Sequence, residues 1–544
     1  MSSWQLISLI ALALLVLFAR HVWVHPQRPF PLPPGPKGWP IIGNIFDVPK
    51  EKLHIAYMDM GRKYGSDLLY LNVAGTSLLI LNSEEAANDL LVESFNVTDS
   101  KMFSNLQTGF PHAFPSSGGN QFPEVLAGKN NLKERASTGS VLRAREFMGW
   151  DFNFGFLPYG NRWRKSRAVF MQQFSASNLE TLQKPILQES IYLFLKKLLD
   201  TPKDFEDHIR FLSGGTIISS LYGMSPFNNP QHGSYLELAK KANQSIVEAG
   251  IPGTMVPGAG FKRKAAYERR FVQQMYNEPV ESVKRNMASG TTKSCVVSRV
   301  LQDMQDNGAW SEEKEDFLKM ASGTAYSAGS DTTAIALTVV VLALVRNPEI
   351  LQKGKAAVDA VVGPDRLPNY DDEGKIPYVD ALIMEALRWR PVTPLAVPHQ
   401  TVSADVYKGY YIPSHTTVLA NCWAFLHNPE IYGEDVTQFH PERFLNPDGT
   451  LNSKIPYPDA AFGFGRRVCP GKAFAQCSLW LAVASLLVCF DFARALDKDG
   501  VEIDPSTDCM DGMLSCPPPF ECSIMPRSKA VEELIRESYE RQIS

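Results

Sequence analysis

The first 294 of the 544 residues contain no cysteine. The eight that follow (Cys295, Cys422, Cys469, Cys477, Cys489, Cys509, Cys516 and Cys522) form no C-x-x-C pair. That excludes a regular disulfide framework and a thiolate zinc site, and points to a reducing compartment for most of the chain. An excess of either charge is also missing. Lys plus Arg is 54 and Asp plus Glu is 58, a net charge of −4, which gives no electrostatic basis for wrapping nucleic acid. There is no internal repeat. With 44% apolar and 21% charged residues, disorder, a collagen-like chain and a polytopic membrane protein are excluded. Proline is abundant instead: 38 residues, which implies many rigid turns and extended connections. Length alone, at roughly 150 residues per domain, gives a soft expectation of three or four domains.

Trp4 to Phe18 is an almost unbroken apolar run, extended past Arg20 and His21 by Val22, Trp23 and Val24. A helix needs about 20 residues to span a bilayer. A cleavable signal peptide would want a basic segment before the run and a small-residue cleavage site after it. Neither is present; Arg20, His21, Arg28 and Lys37 follow the run. Residues 1–25 therefore read as a transmembrane signal anchor with the body on the cytosolic side. Residues 26–40, with Pro31-Leu32-Pro33-Pro34-Gly35-Pro36, read as a stiff hinge holding that body off the membrane. Residues 41–530 form the main domain and 531–544 a C-terminal tail.

Within the main domain, Tyr70–Val73 and Leu78–Leu81 flank Gly75-Thr76, a hairpin pattern. Glu84 to Glu93 looks helical. Ser94 to Lys133 is rich in Gly, Pro, Ser and Asn, an atypical insertion longer than compact domains usually carry. Helical patterns return between Gly160 and Leu199. Ser311 to Arg346 predicts a helix of about 54 Å, capped by Ser311, acidic in its first turn, and stopped by Asn347-Pro348. Its second half is apolar all round, so it should cross the core. Further helices are expected over Glu349–Val361, Tyr378–Arg390 and Gly471–Cys489.

The strongest chemical signal is Phe462-Gly463-Phe464-Gly465-Arg466-Arg467-Val468-Cys469-Pro470-Gly471. It fits F-x-x-G-x-R-x-C-x-G at every fixed position, a chance event on the order of one in ten thousand at average residue usage. The glycines permit a close approach to a flat partner. Arg467 offers a fork to a carboxylate. The helix opening at Gly471 puts its positive end near the Cys469 sulfur and can favour thiolate. A lone cysteine is otherwise most often an inert buried thiol.

On these residues the chain resembles the cytochrome P450 superfamily of haem-thiolate monooxygenases over nearly its whole length. The resemblance implies a mainly α fold with a small β region, haem b as cofactor and Cys469 as the axial thiolate that promotes O–O cleavage. It makes Phe462 the aromatic over the ligand loop and Arg467 a haem-propionate contact. Ala328-Gly329-Ser330-Asp331-Thr332-Thr333 interrupts the apolar helix with weak helix formers. Thr332 then matches the proton-relaying alcohol of a groove over the iron, and Asp331 the acid behind it; a Thr bonding its own i−4 carbonyl is the competing reading. Glu385-Ala386-Leu387-Arg388 places two charges on one helix face, by default an exposed pair of little worth. With Arg443 of Pro441-Glu442-Arg443-Phe444, the resemblance makes it a buried network bracing the haem-binding core. Trp163 and Arg167 share a helical face and match propionate contacts, as does His399, for which a plain surface histidine competes. Arg162, Arg164 and Lys165 match a docking surface for an acidic redox partner. Electrons would come from NADPH through a separate P450 reductase, with the enzyme in the endoplasmic reticulum membrane.

Phe147-Met148-Gly149-Trp150-Asp151-Phe152, Val397-Pro398-His399 and Phe261-Lys262-Arg263-Lys264 are similar to fungal secondary-metabolism members, those like O-methylsterigmatocystin oxidoreductase above all. Two departures stand out. Deleting 94–133 restores a more family-like join between Glu93 and Glu134, as a retained intron would require. Gly250–Gly258 is shorter and less apolar than in relatives. Both fall where the family builds substrate access. The expected activity is oxidation of a hydrophobic small molecule by O2. An isomerase or dehydratase on the same fold, or a non-catalytic haem-binding remnant, are the alternatives. The sequons Asn96-Val97-Thr98 and Asn243-Gln244-Ser245 are read as chance.

Overall fold

The computed structural model describes residues 30–93, 147–225, 232–250 and 259–543. The expected anchor, the first residues of the hinge, the insertion 94–133 with the Asn96 sequon, and residues 251–258 lie outside them.

Among the described residues, eight short strands form three small sheets beside a helical body. In the largest, β1 (Leu68–Val73) and β2 (Thr76–Leu81) pair antiparallel, with Leu68 opposite Leu81. Their two-residue turn works because Ala74 and Gly75 both take positive φ, 49° and 88°, whose twist matches the strands. β3 (His399–Gln400), β4 (Asp405–Tyr407), β5 (Tyr410–Ile412) and β6 (Thr417–Ala420) follow. β6 runs parallel to β2 and antiparallel to β3, giving the order β1-β2-β6-β3. β4 pairs with β5, and β7 (Phe490–Arg494) with β8 (Cys522–Pro526). The proline segment is not a free spacer. The Pro34 carbonyl accepts from Tyr70 N at 2.8 Å, and Pro31 O from Tyr411 N at 2.7 Å. Proline lacks a donor but keeps its acceptor, so an extended proline run can still lie along strands. A Cβ on Gly35 would stand 2.1 Å from Tyr70 O, so only glycine fits that approach.

The longer helices used below are α1 (Leu53–Tyr64), α2 (Asn161–Gln173), α3 (Lys184–Asp200), α4 (Phe205–Tyr222), α5 (His232–Gly250), α6 (Ala259–Ala288), α7 (Glu312–Arg346), α8 (Pro377–Trp389) and α9 (Lys472–Cys489). α7 begins where its sequence says: Ser311 Oγ accepts from Lys314 N at 3.3 Å, and Glu312, Glu313 and Glu315 occupy the positive end. It crosses the body in contact with α2, α4, α8 and α9. α7 and α9 are long and apolar enough to span a membrane, but their apolar windows are 61% and 67% buried inside the protein. They are core helices. α6 was not foreseen; it runs 30 residues with Pro279 inside it. The segment set apart as a tail lies almost wholly in a further helix, Lys529–Ile543, whose Ile535 is buried and whose Arg536 pairs with Asp200 of α3.

Candidate active site

The Cys469 loop is built by glycines. Gly463 and Gly465 take φ of 82° and 55°, and a Cβ on Gly465 would meet Leu91 O at 2.6 Å. The loop then folds back so that Cys469 N donates to Phe462 O at 2.7 Å. Phe462 stacks on Tyr457, with Lys472 over both rings. Gly471 lies against the sulfur: a Cβ there would be 4.0 Å from both Cys469 Sγ and Phe170 Cζ. Cys469 is exposed, unlike the buried Cys295, Cys422, Cys477 and Cys489. Packing around it nevertheless pushes its thiol up. The Gly471 N–H, Arg167 and Lys472 act the other way without prevailing. The helix end thus favours the thiolate, as the place of Cys469 before α9 suggests, but burial outweighs it. Coordination to a metal cation deprotonates a thiol outright.

Two guanidinium groups flank this loop. Arg167 donates to Val468 O at 2.7 Å, and Arg467 to Leu157 O at 2.8 Å. Both lie over the Trp163 ring, at 5.5 and 5.1 Å from its centre. Burial lowers the proton affinity of each, and Arg167 lowers that of Arg467 further. His399, on β3, is pushed down to about 4 by burial and then by Arg467, so it is neutral at pH 7. Among the described residues neither arginine has a carboxylate partner, and the Trp163 indole N–H has no protein acceptor. Two half-buried cations side by side favour an anionic partner. The haem propionates are such anions. Among the described residues no three His, Cys, Asp or Glu side chains gather to hold a bare ion. A single thiol suits an iron whose other ligands come with its own ring. The residues present therefore fit a haem.

α7 is continuous α-helix through Ala328–Thr333. Thr332 Oγ1 donates to Ala328 O at 3.0 Å, the i−4 bond that competed with the relay reading. Four consecutive carbonyls each take a side-chain donor: Tyr326 from Ser330, Ser327 from Asn243, Ala328 from Thr332 and Gly329 from Ser213. Extra donors of this kind weaken a helix locally. Asp331 accepts from Asn243 Nδ2 at 2.7 Å, while burial raises its proton affinity. Thr333 and Ala334 of α7 line a common cavity with Phe474 and Ser478 of α9.

Glu385, Arg388 and Arg443 meet in the interior, the first two at 0% exposure. Arg388 grips Glu385 through Nε and Nη2 at 2.7 and 2.8 Å, and Arg443 Nε adds a bond at 3.1 Å. His440 N donates to the same carboxylate at 2.8 Å. Arg388 also caps the carbonyls of Leu426, Val436 and Gln438. On the surface, Arg162 and Lys165 pair with Asp316 and Glu313 at 3.8 and 2.6 Å, exposed contacts of small worth.

Residues 130–523 match the family model described as Cytochrome P450. The chain belongs to the cytochrome P450 family. It is 34% identical to a cytochrome P450 monooxygenase of Armillaria gallica, covering 98% of this chain and 99% of the relative. A P450 monooxygenase of Rhodocybe pseudopiperita is 36% identical over 94% and 93%. Tryptamine 4-monooxygenase of Psilocybe cyanescens is 33% identical over 92% and 94%. The chain is thus a P450 monooxygenase of fungal type. As in the family, its cofactor is a haem-thiolate iron centre supplied with electrons from NAD(P)H by a reductase.

Sequence reasoning missed Asn243 and Ser327. Asn243 was read only as a sequon; it is 7% exposed and bonded to α7. Ser245 of the same sequon accepts from the buried Trp150 indole at 2.9 Å. Only the polar break in α7 hinted that a partner was needed there.

Proposed function

We propose that this P450 hydroxylates or otherwise oxidises a hydrophobic small molecule in fungal secondary metabolism, with Cys469 as the thiolate that would hold the haem iron. The carrying observation is the accessible Cys469 sulfur beside two anion-seeking arginines that share Trp163. Bound haem with a thiolate ligand supplies O2 cleavage and transfer of one oxygen atom. Trp163, Arg167, His399 and Arg467 would hold the propionates, with His399 neutral. Phe462 shields the sulfur side of the loop. Asp331 takes a proton from solvent and Thr332 passes it inward, which requires its hydroxyl to leave Ala328 O. Glu385, Arg388 and Arg443 keep the segment leading to the loop in register. Arg162, Arg164 and Lys165 receive an NADPH-cytochrome P450 reductase once their exposed pairings open. An N-terminal single-pass anchor places the enzyme on the endoplasmic reticulum with its body in the cytosol. The O-methylsterigmatocystin oxidoreductase-like kinship rests on the Met148-Gly149-Trp150 and Val397-Pro398-His399 segments.

The test is a reduced, CO-treated spectrum of the purified protein. The red-shifted Soret band of thiolate-ligated haem is expected, and its loss in Cys469→Ala. A protein that carries haem without that band, or a variant that retains it, overturns the assignment.

A further inference from the structure

Asn243 of α5 reaches α7 with its whole amide. Its Nδ2 donates to Ser327 O at 3.0 Å and to Asp331 Oδ2 at 2.7 Å, and its Oδ1 accepts from Ser327 Oγ at 2.7 Å. Flipping the amide would set Oδ1 against a carbonyl and a carboxylate, so its orientation is fixed. Asn243 and Ser327 are both buried, at 7% and 5% exposure. Among the described residues no other group hydrogen-bonds the Asp331 carboxylate. The charged and titratable groups facing it are Arg210 from α4, Lys240 from α5 and the Cys516 thiol from the segment before β8. None of these supplies a hydrogen bond in place of the amide. Asn243 therefore sets where the carboxylate points.

We propose that Asn243 is a positioning residue for Asp331: its amide seats the carboxylate and ties that acid's proton affinity to the seating of α5 on α7. The proposal rests on Asp331 being the proton-delivery acid. The amide N–H stabilises the ionised form, offsetting part of the burial that favours the neutral one. With α5 seated, Asp331 can release its proton toward Thr332 and be recharged from solvent. With the amide withdrawn, the acid holds its proton more tightly.

Infrared difference spectroscopy of the holoenzyme across pH reads the Asp331 carboxyl, identified by the signal lost in Asp331→Asn. Asn243→Leu, of similar size but without donors, is expected to move that titration upward by about one to two pH units. Ser327→Ala, which frees Asn243 Oδ1, moves it less and in the same direction. Asn243→Leu added to Asp331→Asn should cost no further turnover. If Asp331→Asn turns over like the parent, the proton-delivery reading fails whatever the infrared shows. If Asp331→Asn is impaired but Asn243→Leu leaves the titration where it was, the positioning role is overturned. If Asn243→Leu does not incorporate haem, the Ser327→Ala titration decides: an unmoved value overturns the role.

Discussion

Glu385 and Asp331 are both carboxylates on core helices, held in opposite ways. Glu385 is fully buried and accepts four hydrogen bonds, two from Arg388, one from Arg443 and one from His440 N. Asp331 accepts one, from a neutral amide, and its nearby cations act only at a distance. Partners of full charge surround the first, and its removal would strand a buried arginine. The second keeps the freedom to change its protons. Saturation suits the brace proposed for Glu385, and incompleteness suits the acid proposed for Asp331.

The largest effect should come from breaking the brace. Glu385→Ala leaves Arg388 and Arg443 unpaired in the interior and should cost about 3–5 kcal/mol in urea unfolding of the holoenzyme, with haem lost early. Asp331→Asn should instead lower turnover by about 100-fold or more while the CO-difference band stays intact. Its stability should move in the reverse sense to the Glu385 variant. Burial raises the Asp331 affinity for its proton above the unfolded value. The folded state then binds more protons between the two values, so stability falls as pH rises through that window. Removing the charge removes this cost. At pH 7 the Asp331→Asn unfolding midpoint should match or exceed the parent's, and a clear drop would make Asp331 a second brace.

Two smaller changes calibrate the contrast. Gly465→Ala forces a side chain into positive φ and against Leu91 O, and should cost about 1–3 kcal/mol with disturbed haem retention. Ser311→Ala removes the α7 cap, far from either carboxylate, and should cost about 1 kcal/mol by thermal unfolding. If Glu385→Ala costs no more than this cap, the network is not the brace its geometry describes.

The features legible in the sequence were those whose cause is local. Ser311 and Asn347-Pro348 bound α7 within a residue of expectation because caps and stops act on their own turn. The hairpin, whose turn falls at Ala74-Gly75, one residue before the expected Gly75-Thr76, and the glycine-shaped loop before Cys469 are likewise written in adjacent residues. Glu385 and Arg388 announced themselves as neighbours on one helix face. Asn243 did not, because its partners lie 84 and 88 residues away and nothing in the local sequence records their approach. The net direction at Cys469 was also out of reach, since it depends on how much protein packs around the sulfur. α6 escaped for a different reason: Pro279 marks a break by local rules, and tertiary packing carries the helix through it.

The parallel pairing of β2 with β6 also governs how the protein is made. Asn82, just after β2, bonds Asn421, just after β6, across 339 residues of chain. At about 5–20 residues per second of synthesis, β2 waits roughly 17–70 s for its partner. Through that interval the hairpin exposes one edge and a row of leucines, and such edges seed aggregation. Expression yield of this P450 should therefore depend on growth temperature and chaperone supply more steeply than its equilibrium stability does.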